Sequence, residues 1–352
     1  MKRFLLPFLL ICCLSASAQV YNNEWIDYSK TYYKFKVGAS GLYRISQSAL
    51  GSIGLQTTPV AHFQLWRNGK EVPLYTSVQT GTLGASDYIE FWGEMNDGKA
   101  DNRLYRTADF QLSTDTAAYF LTVNTAGNNL RLVPAANNLP TGVSPEPFFM
   151  HTTGIYYRSK IGQGYSSPVE HEYTYSSSYD EGEGWVSDDI PRDGTLTFSD
   201  NNLAVYTGAG APDGTVRINA AGNAENPRRL VLKLNGSTVI DQHIDFFSAQ
   251  KFSATFPFSL ISGNSAILVI TNSTEPVLPP ATPLPDRLDI AMMEVNYPRL
   301  FNFGGANTSF NFSLPANPSG NYLEITNFVF TGIPVLYDIT NGRRYEGNTA
   351  VA

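Results

Sequence analysis

The chain has 352 residues, with 24 Lys plus Arg against 31 Asp plus Glu and a formal net charge of −7. Nucleic-acid binding needs clustered cations, and the chain has no basic run, so we predict no nucleic-acid partner. One hydrophobic core rarely organises so many residues, so two or more domains are expected.

The first eighteen residues have the three parts of a secretory signal peptide. Lys2 and Arg3 precede an apolar run over 4–14, and Ala-Ser-Ala follows at 16–18. We therefore predict a signal peptide over 1–18 and export through the Sec pathway to the periplasm, the outer-membrane surface or the cell exterior. No stretch reaches the roughly 20 apolar residues of a membrane-spanning helix, so no transmembrane segment is predicted.

Both cysteines, Cys12 and Cys13, lie in this apolar run. Once the signal peptide is removed, the chain has no thiol. It then has no disulfide, no thiolate metal ligand and no cysteine nucleophile, and its stability must come from its core alone.

The first domain is predicted over 19–136. Apolar residues alternate with polar ones in several short runs, a pattern typical of half-buried strands. Ser46–Ile53 is the best helical candidate, about two turns long, and Gly38 and Gly41 bracket a tight connection between two strands. The predicted strands of this domain are 33–37, 62–66, 118–123 and 130–133.

A linker is predicted over 137–147, because the stretch 134–147 is rich in proline and poor in large apolar residues. A second domain over 148–299 is predicted to be a jelly-roll-like β-sandwich. Its strongest local signal is Asn235-Gly236, which joins two apolar runs as a hairpin turn. The proline-rich stretch 275–285 is predicted to be a loop. The predicted strands are 229–235, 252–258, 266–271 and 288–295.

The last segment, 300–352, alternates again at Phe310–Leu314 and Tyr322–Phe330. It stops at Gly347–Ala352 without a closing pattern, so we expect a truncated chain, although a natural C-terminus can also be ragged. The fold class predicted for the whole chain is all-β, with strands in 300–352 leading towards an absent α/β domain.

A nucleophile needs a base, so the four histidines are the first residues to consider: His62, His151, His171 and His243. Two of them, His62 and His243, fall within strand patterns and are interpreted as strand surface residues. His171-Glu172 does not continue as a zinc motif, because Tyr175 stands where the second histidine belongs. The sequence also has no GxSxG, phosphate loop or CxxC. We predict no catalytic residue, no cofactor and no metal ligand.

Two acidic, glycine-turned clusters, 96–101 and 180–184, have the oxygen-rich character of calcium loops. Neither has the spacing of an EF-hand, and we interpret both as solvated turns. The sequence does not show whether two carboxylates are paired for glycoside hydrolysis, because acidic residues are abundant throughout the chain.

Aromatic residues near the second acidic cluster form a candidate ligand site. Trp185, Tyr173 and Tyr175, with Tyr156 and Tyr157, are able to stack on a sugar ring. Aromatic faces pack in cores in the same way, and that alternative stays open.

Seven segments in order resemble the region that precedes the peptidase domain in gingipain-like cysteine peptidases of Bacteroidetes, a family that includes the PorU-type sortases of the type IX secretion system. Their order over most of the chain carries the resemblance, since no single one is diagnostic. The segments are GLYRIS (41–46), YIEFWGEMNDGKADNRLYR (88–106), DTAAYFLTV (115–123), DEGEGW (180–185), NYPRLF (296–301), NYLEITNF (321–328) and LYDITNGRRY (336–345).

The resemblance implies a cell-surface cysteine peptidase, whose sortase members remove C-terminal sorting signals from cargo and attach the cargo to lipopolysaccharide. The catalytic His and Cys of that family would lie beyond Ala352, so no catalytic residue is carried over. The implied partners are a downstream peptidase domain of the same chain, components of the type IX secretion system and cargo proteins. Two alternatives remain: a glycan-binding module and a structural protein of the cell envelope.

Overall fold

The computed structural model describes residues 23–99, 113–139, 142–164, 166–169, 172–175, 182–273 and 286–350. The predicted signal peptide 1–18, the predicted loop 275–285 and His171 lie outside these ranges. Within them the protein is all-β, which confirms the predicted fold class. Across the same ranges, no helix has the length and apolar character needed to cross a membrane.

Strands make up most of the regular structure. The first twelve are β1 (Tyr33–Val37), β2 (Gly41–Ser46), β3 (Phe63–Arg67), β4 (Lys70–Val72), β5 (Tyr75–Thr76), β6 (Tyr88–Gly93), β7 (Ala117–Val123), β8 (Val133–Pro134), β9 (Phe149–Tyr156), β10 (Lys160–Gln163), β11 (Ser166–Val169) and β12 (Glu172–Tyr175). The others are β13 (Glu183–Val186), β14 (Ile190–Pro191), β15 (Thr195–Asp200), β16 (Gly214–Gly222), β17 (Arg228–Leu234), β18 (Ser237–Ile244), β19 (Ala249–Phe256), β20 (Ala266–Ser273), β21 (Arg287–Arg299), β22 (Asn302–Ala306), β23 (Thr326–Phe328), β24 (Val335–Asp338) and β25 (Arg343–Glu346).

Helical structure in the described ranges is short. The α-helix Gln47–Gly51 begins after Ser46, whose hydroxyl accepts a hydrogen bond from Ala49 N and so satisfies one free amide of the first turn. This confirms the helix predicted over Ser46–Ile53. Two 3-10 turns complete the helical content, Val60–His62 and Phe258–Ile261.

The chain divides into two compact units. Unit 1 contains the described residues of 23–95, 116–135 and 335–345, and unit 2 those of 96–115, 136–334 and 346–350. The last segment is therefore divided: 300–334 belongs to unit 2 and 335–345 to unit 1. This grouping differs from the predicted boundaries, which treat 300–352 as one segment.

Unit 1 contains three small sheets, with the strand orders β1-β7-β3-β4, β2-β6-β5 and β24-β25-β8. Strands β1 and β2, which the predicted glycine connection joins, lie in different sheets. Phe63, Phe91 and Tyr119 are fully or almost fully buried in the shared core. The strand predicted at 62–66 begins one residue later, because His62 ends the 3-10 turn instead.

Unit 2 is a β-sandwich, as predicted. One sheet has the order β14-β21-β16-β19, with β9 also paired to β21, and the other has the order β15-β20-β17-β18. Ile218 and Met293 of the first sheet and Leu232 and Leu268 of the second are fully buried in a single core. Alternating residues of both sheets therefore face each other across one apolar layer.

The Asn235-Gly236 hairpin is also confirmed. Strands β17 and β18 pair up to Leu234 and Ser237, and the two turn residues have φ angles of 47° and 85°. Both angles lie in the left-handed region that such two-residue turns require.

Phe310–Leu314 was predicted from its alternation to be a strand, and this prediction is wrong. These residues are in the described range but outside every strand. Their side chains Phe310, Phe312 and Leu314 pack instead on the buried cluster of Phe149, Phe301 and Phe303. An extended segment that buries alternate side chains has the same sequence pattern as a strand, even though it forms no ladder hydrogen bonds. Within Tyr322–Phe330, only Thr326–Phe328 forms a strand.

Candidate functional site

The candidate ligand residues lie on two nested ladders of unit 2. β10 pairs with β13 and β11 pairs with β12, both antiparallel, so the four strands follow one hairpin path. We call the strands β10–β13 the arm. In sequence the arm lies between β9 and β14. Both of these strands pair with the same strand, β21.

Trp185 lies on β13, opposite Ile161 of β10, and its side chain is partly exposed. The Arg158 guanidinium carbon lies 5.5 Å from the centroid of its ring, within the range of a cation–π contact. Arg158 also forms an ion pair with Asp115. One face of the indole is therefore already covered by a cation that is itself held in place.

Tyr175 lies on β12, opposite Ser166, and is 47% exposed. Tyr173 lies on the same strand opposite Pro168, and its side chain is outside the described structure. The structure thus places Trp185, Tyr173 and Tyr175 on one arm but in two different ladders. Whether they bind a ligand stays a prediction.

The two remaining tyrosines of the predicted platform have structural roles. The Tyr156 hydroxyl donates a hydrogen bond of 2.6 Å to the buried Glu294. Tyr157 packs against the sandwich core, and burial raises the pKa of its hydroxyl to about 12. Tyr157 thus contributes to the core, and Tyr156 satisfies a buried carboxylate.

A carboxyl–lysine cluster lies at the base of the arm. Lys160 Nζ is 2.5 Å from Asp189 Oδ1 and 3.3 Å from Asp289 Oδ1, and Asn223 Nδ2 donates to Asp189 Oδ1 at 3.0 Å. Burial and a hydrogen bond with Asp189 raise the pKa of Asp289 to about 7. Burial disfavours ionisation of Asp189, but hydrogen bonds with Asp289, Lys160 and Asn223 outweigh it and lower its pKa to about 2. The two carboxyls therefore share one proton over a wide pH range.

Unit 1 has a comparable buried glutamate. Glu90, on β6, is 4% exposed and accepts hydrogen bonds from Arg44 on β2 and from the Tyr337 hydroxyl on β24. Burial and the bond to Glu90 raise the pKa of Tyr337. The Arg344 guanidinium lies 4.4 Å from the ring centroid of Tyr75 and 5.9 Å from that of Tyr337. No sequence pattern predicts this cluster, because residues so far apart in the chain give no local signal.

The described histidines are not brought to a common site. His62 ends a 3-10 turn, and His243 is on β18, as the strand pattern indicates, with Nε2 2.7 Å from Asp245 Oδ1. His151 stacks on Phe310 with a centroid distance of 5.6 Å. Burial, reinforced by the nearby positive charge of Arg299, lowers the pKa of His151 to about 4.

Of the acidic clusters, only part is described. Asp97 Oδ1 accepts from Lys99 N at 3.2 Å and its Oδ2 pairs with Lys99 Nζ at 2.8 Å, which is the local bonding of a solvated turn. Glu183 lies in the ladder opposite Gln163. Among the described residues, no group of three or more His, Cys, Asp or Glu side chains is placed to hold a metal ion.

A shallow cleft of about 290 Å³ lies elsewhere in unit 2, between β9 and the segment after Phe310. It contains none of the predicted ligand residues. Its lining residues are Met150, His151, Thr152, Asn311, Phe312 and Ser313.

Fold and site together define an all-β protein of two units, one of them a β-sandwich that carries the four-stranded arm β10–β13. No protein-family model matches the chain, and no curated protein does. Among solved structures, dimeric latent PorU from Porphyromonas gingivalis is similar with 12% identity and a TM-score of 0.48, over 78% of this chain and 25% of that chain. This chain thus spans a quarter of the length of that PorU chain.

Carbohydrate-binding modules are also similar. A module CBM36 in complex with calcium and xylotriose has 12% identity and a TM-score of 0.23, over 41% of this chain and 98% of the module. A family 35 module from Clostridium thermocellum has 11% identity and a TM-score of 0.21, over 41% and 97% respectively. None of these likenesses assigns the chain to a family.

Proposed function

We propose that these two units are the non-catalytic front part of an exported, cell-surface cysteine peptidase of gingipain type, a sortase of the type IX secretion system. They act as a scaffold, a docking surface or an intramolecular chaperone for a peptidase domain in the same protein. Secretion-system components and cargo proteins are the proposed partners. The described residues include no cysteine, so the chemistry is assigned to the peptidase domain.

One observation carries this proposal. The segment LYDITNGRRY, which resembles the segment just ahead of the peptidase domain in that family, returns to unit 1 as β24 and β25. There β25 pairs with β8, and Tyr337 donates to the buried Glu90. A segment anchored by strand pairing and a buried hydrogen bond gives a following domain a fixed starting point, which suits a scaffold.

The first test is the reading frame beyond codon 352. We expect it to continue into an α/β domain that contains a His and a Cys. A stop codon at this position would contradict the proposal and leave a self-contained β protein.

A second test uses the full-length protein. Arg344 is 9% exposed and contacts two tyrosine rings, whereas the neighbouring Arg343 is exposed. We expect Arg344→Ala to reduce the yield of active peptidase, and Arg343→Ala to leave it unchanged. Equal activity of both variants would show that the anchored segment does not support the peptidase domain.

The second candidate function is glycan binding by the arm. The observation that favours it is the exposure of Tyr175 on a strand whose one ladder partner among the described strands is β11. We expect binding on a glycan array that Trp185→Ala and Tyr175→Ala weaken. Tyr28→Ala, which changes an 84% exposed residue of unit 1, is the matched control. No binding by the wild-type protein would contradict this candidate.

A further inference from the structure

The base of the arm is hydrogen-bonded to the rest of unit 2 along strand β21. The Tyr157 amide donates to Ala291 O at 2.9 Å and the Ser187 amide donates to Ile290 O at 2.8 Å. The Ile290 amide in turn donates to Ser187 Oγ at 3.1 Å. Beyond these bonds, β10 and β13 form ladder hydrogen bonds only with each other in the described structure.

The carboxyl–lysine cluster spans the same junction. Lys160 is the first residue of β10, Asp189 follows the end of β13, and Asp289 lies on β21. The ion pairs of Lys160 with both carboxyls therefore connect both sides of the arm base to the sheet edge. Asp289 is 2% exposed, so water contributes little to its solvation.

We propose that Lys160, Asp189 and Asp289 form a proton-dependent clamp that holds the base of the arm against β21 in mildly acidic solution and loosens as the pH rises. The clamp is independent of what the arm binds and of any peptidase domain.

The charges around the carboxyl pair explain why a proton is needed. With Asp289 neutral, Lys160 balances the charge of Asp189, and the Asp289 hydroxyl donates to the Asp189 carboxylate. Among the described residues, the buried Arg228 also interacts electrostatically with Asp289, and its guanidinium is bound to Asp286. Arg287, two residues before Asp289 on β21, donates from its Nε to Asn223 O instead. Ionised Asp289 thus adds a second buried negative charge that must share Lys160 with Asp189.

The direction of the pH effect follows from the two states. With the arm closed, Asp289 keeps its proton up to about pH 7. With the arm open, it ionises at the ordinary value, so opening becomes more favourable from about pH 4 to about pH 7 and then levels off. Asp189 is ionised in both states over that range and contributes no pH dependence there.

Hydrogen exchange measured by mass spectrometry on the full chain tests the clamp. After correction for intrinsic rates, we expect the amides of β10 and β13 to exchange up to about 70-fold faster at pH 7.5 than at pH 5. The core strands β16 and β17 should show no such change. Equal protection of the arm base at the two pH values would overturn the proposal.

Variants separate the clamp from general pH effects. Asp289→Asn keeps an N–H donor for Asp189 but cannot ionise, so its arm base should be equally protected at both pH values. Asp241→Asn, which changes an exposed ion pair with Arg229, should keep the wild-type pH dependence. If Asp289→Asn does not fold, Asp189→Asn replaces it, because removing that carboxyl should also reduce the dependence. A full pH dependence in either carboxyl variant would refute the clamp.

Discussion

Neighbouring arginines on one strand show how much the surroundings of a charge decide its role. Arg228 is fully buried, and its guanidinium donates to Asp286 and to the carbonyl oxygens of Ala224 and Phe246. Arg229 pairs with Asp241 at the surface. If the surface pair of Arg229 and Asp241 is broken, water solvates both charges. If the buried pair of Arg228 and Asp286 is broken, an unpaired charge remains inside the sandwich.

Removing the buried carboxylate should therefore be costly. We expect Asp286→Ala to lower the free energy of unfolding of unit 2 by about 3–5 kcal/mol. Asp241→Ala removes a surface partner and should cost less than about 1 kcal/mol. Urea denaturation of both variants measures the difference, and equal costs would show that Arg228 is satisfied without Asp286.

His151 should make unit 2 sensitive to acid. Its pKa is about 4 in the folded protein and about 6.5 when unfolded, so between these values the unfolded chain binds more protons. Stability is then lost as the pH falls from about 6.5 to about 4, by an amount of order 3 kcal/mol. Thermal melting of His151→Phe between pH 4 and 7 should show a smaller loss than the wild type. An unchanged acid dependence would assign the effect to other groups.

At the scale of elements, the turn after β17 combines backbone geometry with side-chain bonding. Asn235 Nδ2 donates to the carbonyl oxygens of Leu260 and Ser265, and its Oδ1 accepts from Ile267 N. The turn thus holds β17, β18 and β20 in register as well as reversing the chain.

Two glycine substitutions isolate the backbone contribution of this turn. A Cβ at Gly236 or at Gly263 would meet no atom within 4 Å, but only Gly236 has a positive φ, of 85°. We expect Gly236→Ala to destabilise unit 2 by about 1–2 kcal/mol, because a Cβ is strained at such an angle. Gly263→Ala should change stability by less than about 0.5 kcal/mol. Chemical denaturation distinguishes the two, and similar values would exclude backbone strain as the cause.

Elements with local signals are those that the sequence predicts well. Asn235-Gly236 and the helix after Ser46 both depend on interactions within a few residues, and both are confirmed. The strand predicted at Phe310–Leu314 is wrong because an alternating pattern indicates which side chains are buried. It does not indicate whether the segment pairs with another strand. Lys160, Asp189 and Asp289 were not predicted as a cluster, since nothing local distinguishes them from the many other charged residues.

On the scale of the whole molecule, segments of unit 1 and unit 2 alternate along the chain. Unit 1 includes 335–345, and the chain reaches these residues only after completing the sandwich strands. The bond between Tyr337 and Glu90 closes this long loop. Sequence patterns near either residue cannot reveal such a contact.

A pair of tyrosine variants tests how much this closure contributes. Tyr337→Phe leaves the buried Glu90 without one donor, and we expect unit 1 to lose about 1–3 kcal/mol. Tyr322→Phe also removes a bond to a glutamate, Glu324, but both residues are at the surface, and no measurable change is expected. Calorimetry is the measurement. A loss in unit 2 from Tyr337→Phe, or none at all, would contradict this account.

The return of β24 and β25 to unit 1 also sets an order of events during synthesis. The N-terminal strands emerge first, but one edge of their structure is missing until Arg343 and Arg344 have been made and can pair with β8. The sandwich has all its strands before that point. Unit 1, whose strands are translated first, is therefore completed only after the sandwich strands have been made, and it depends on contacts of high sequence separation, which form slowly.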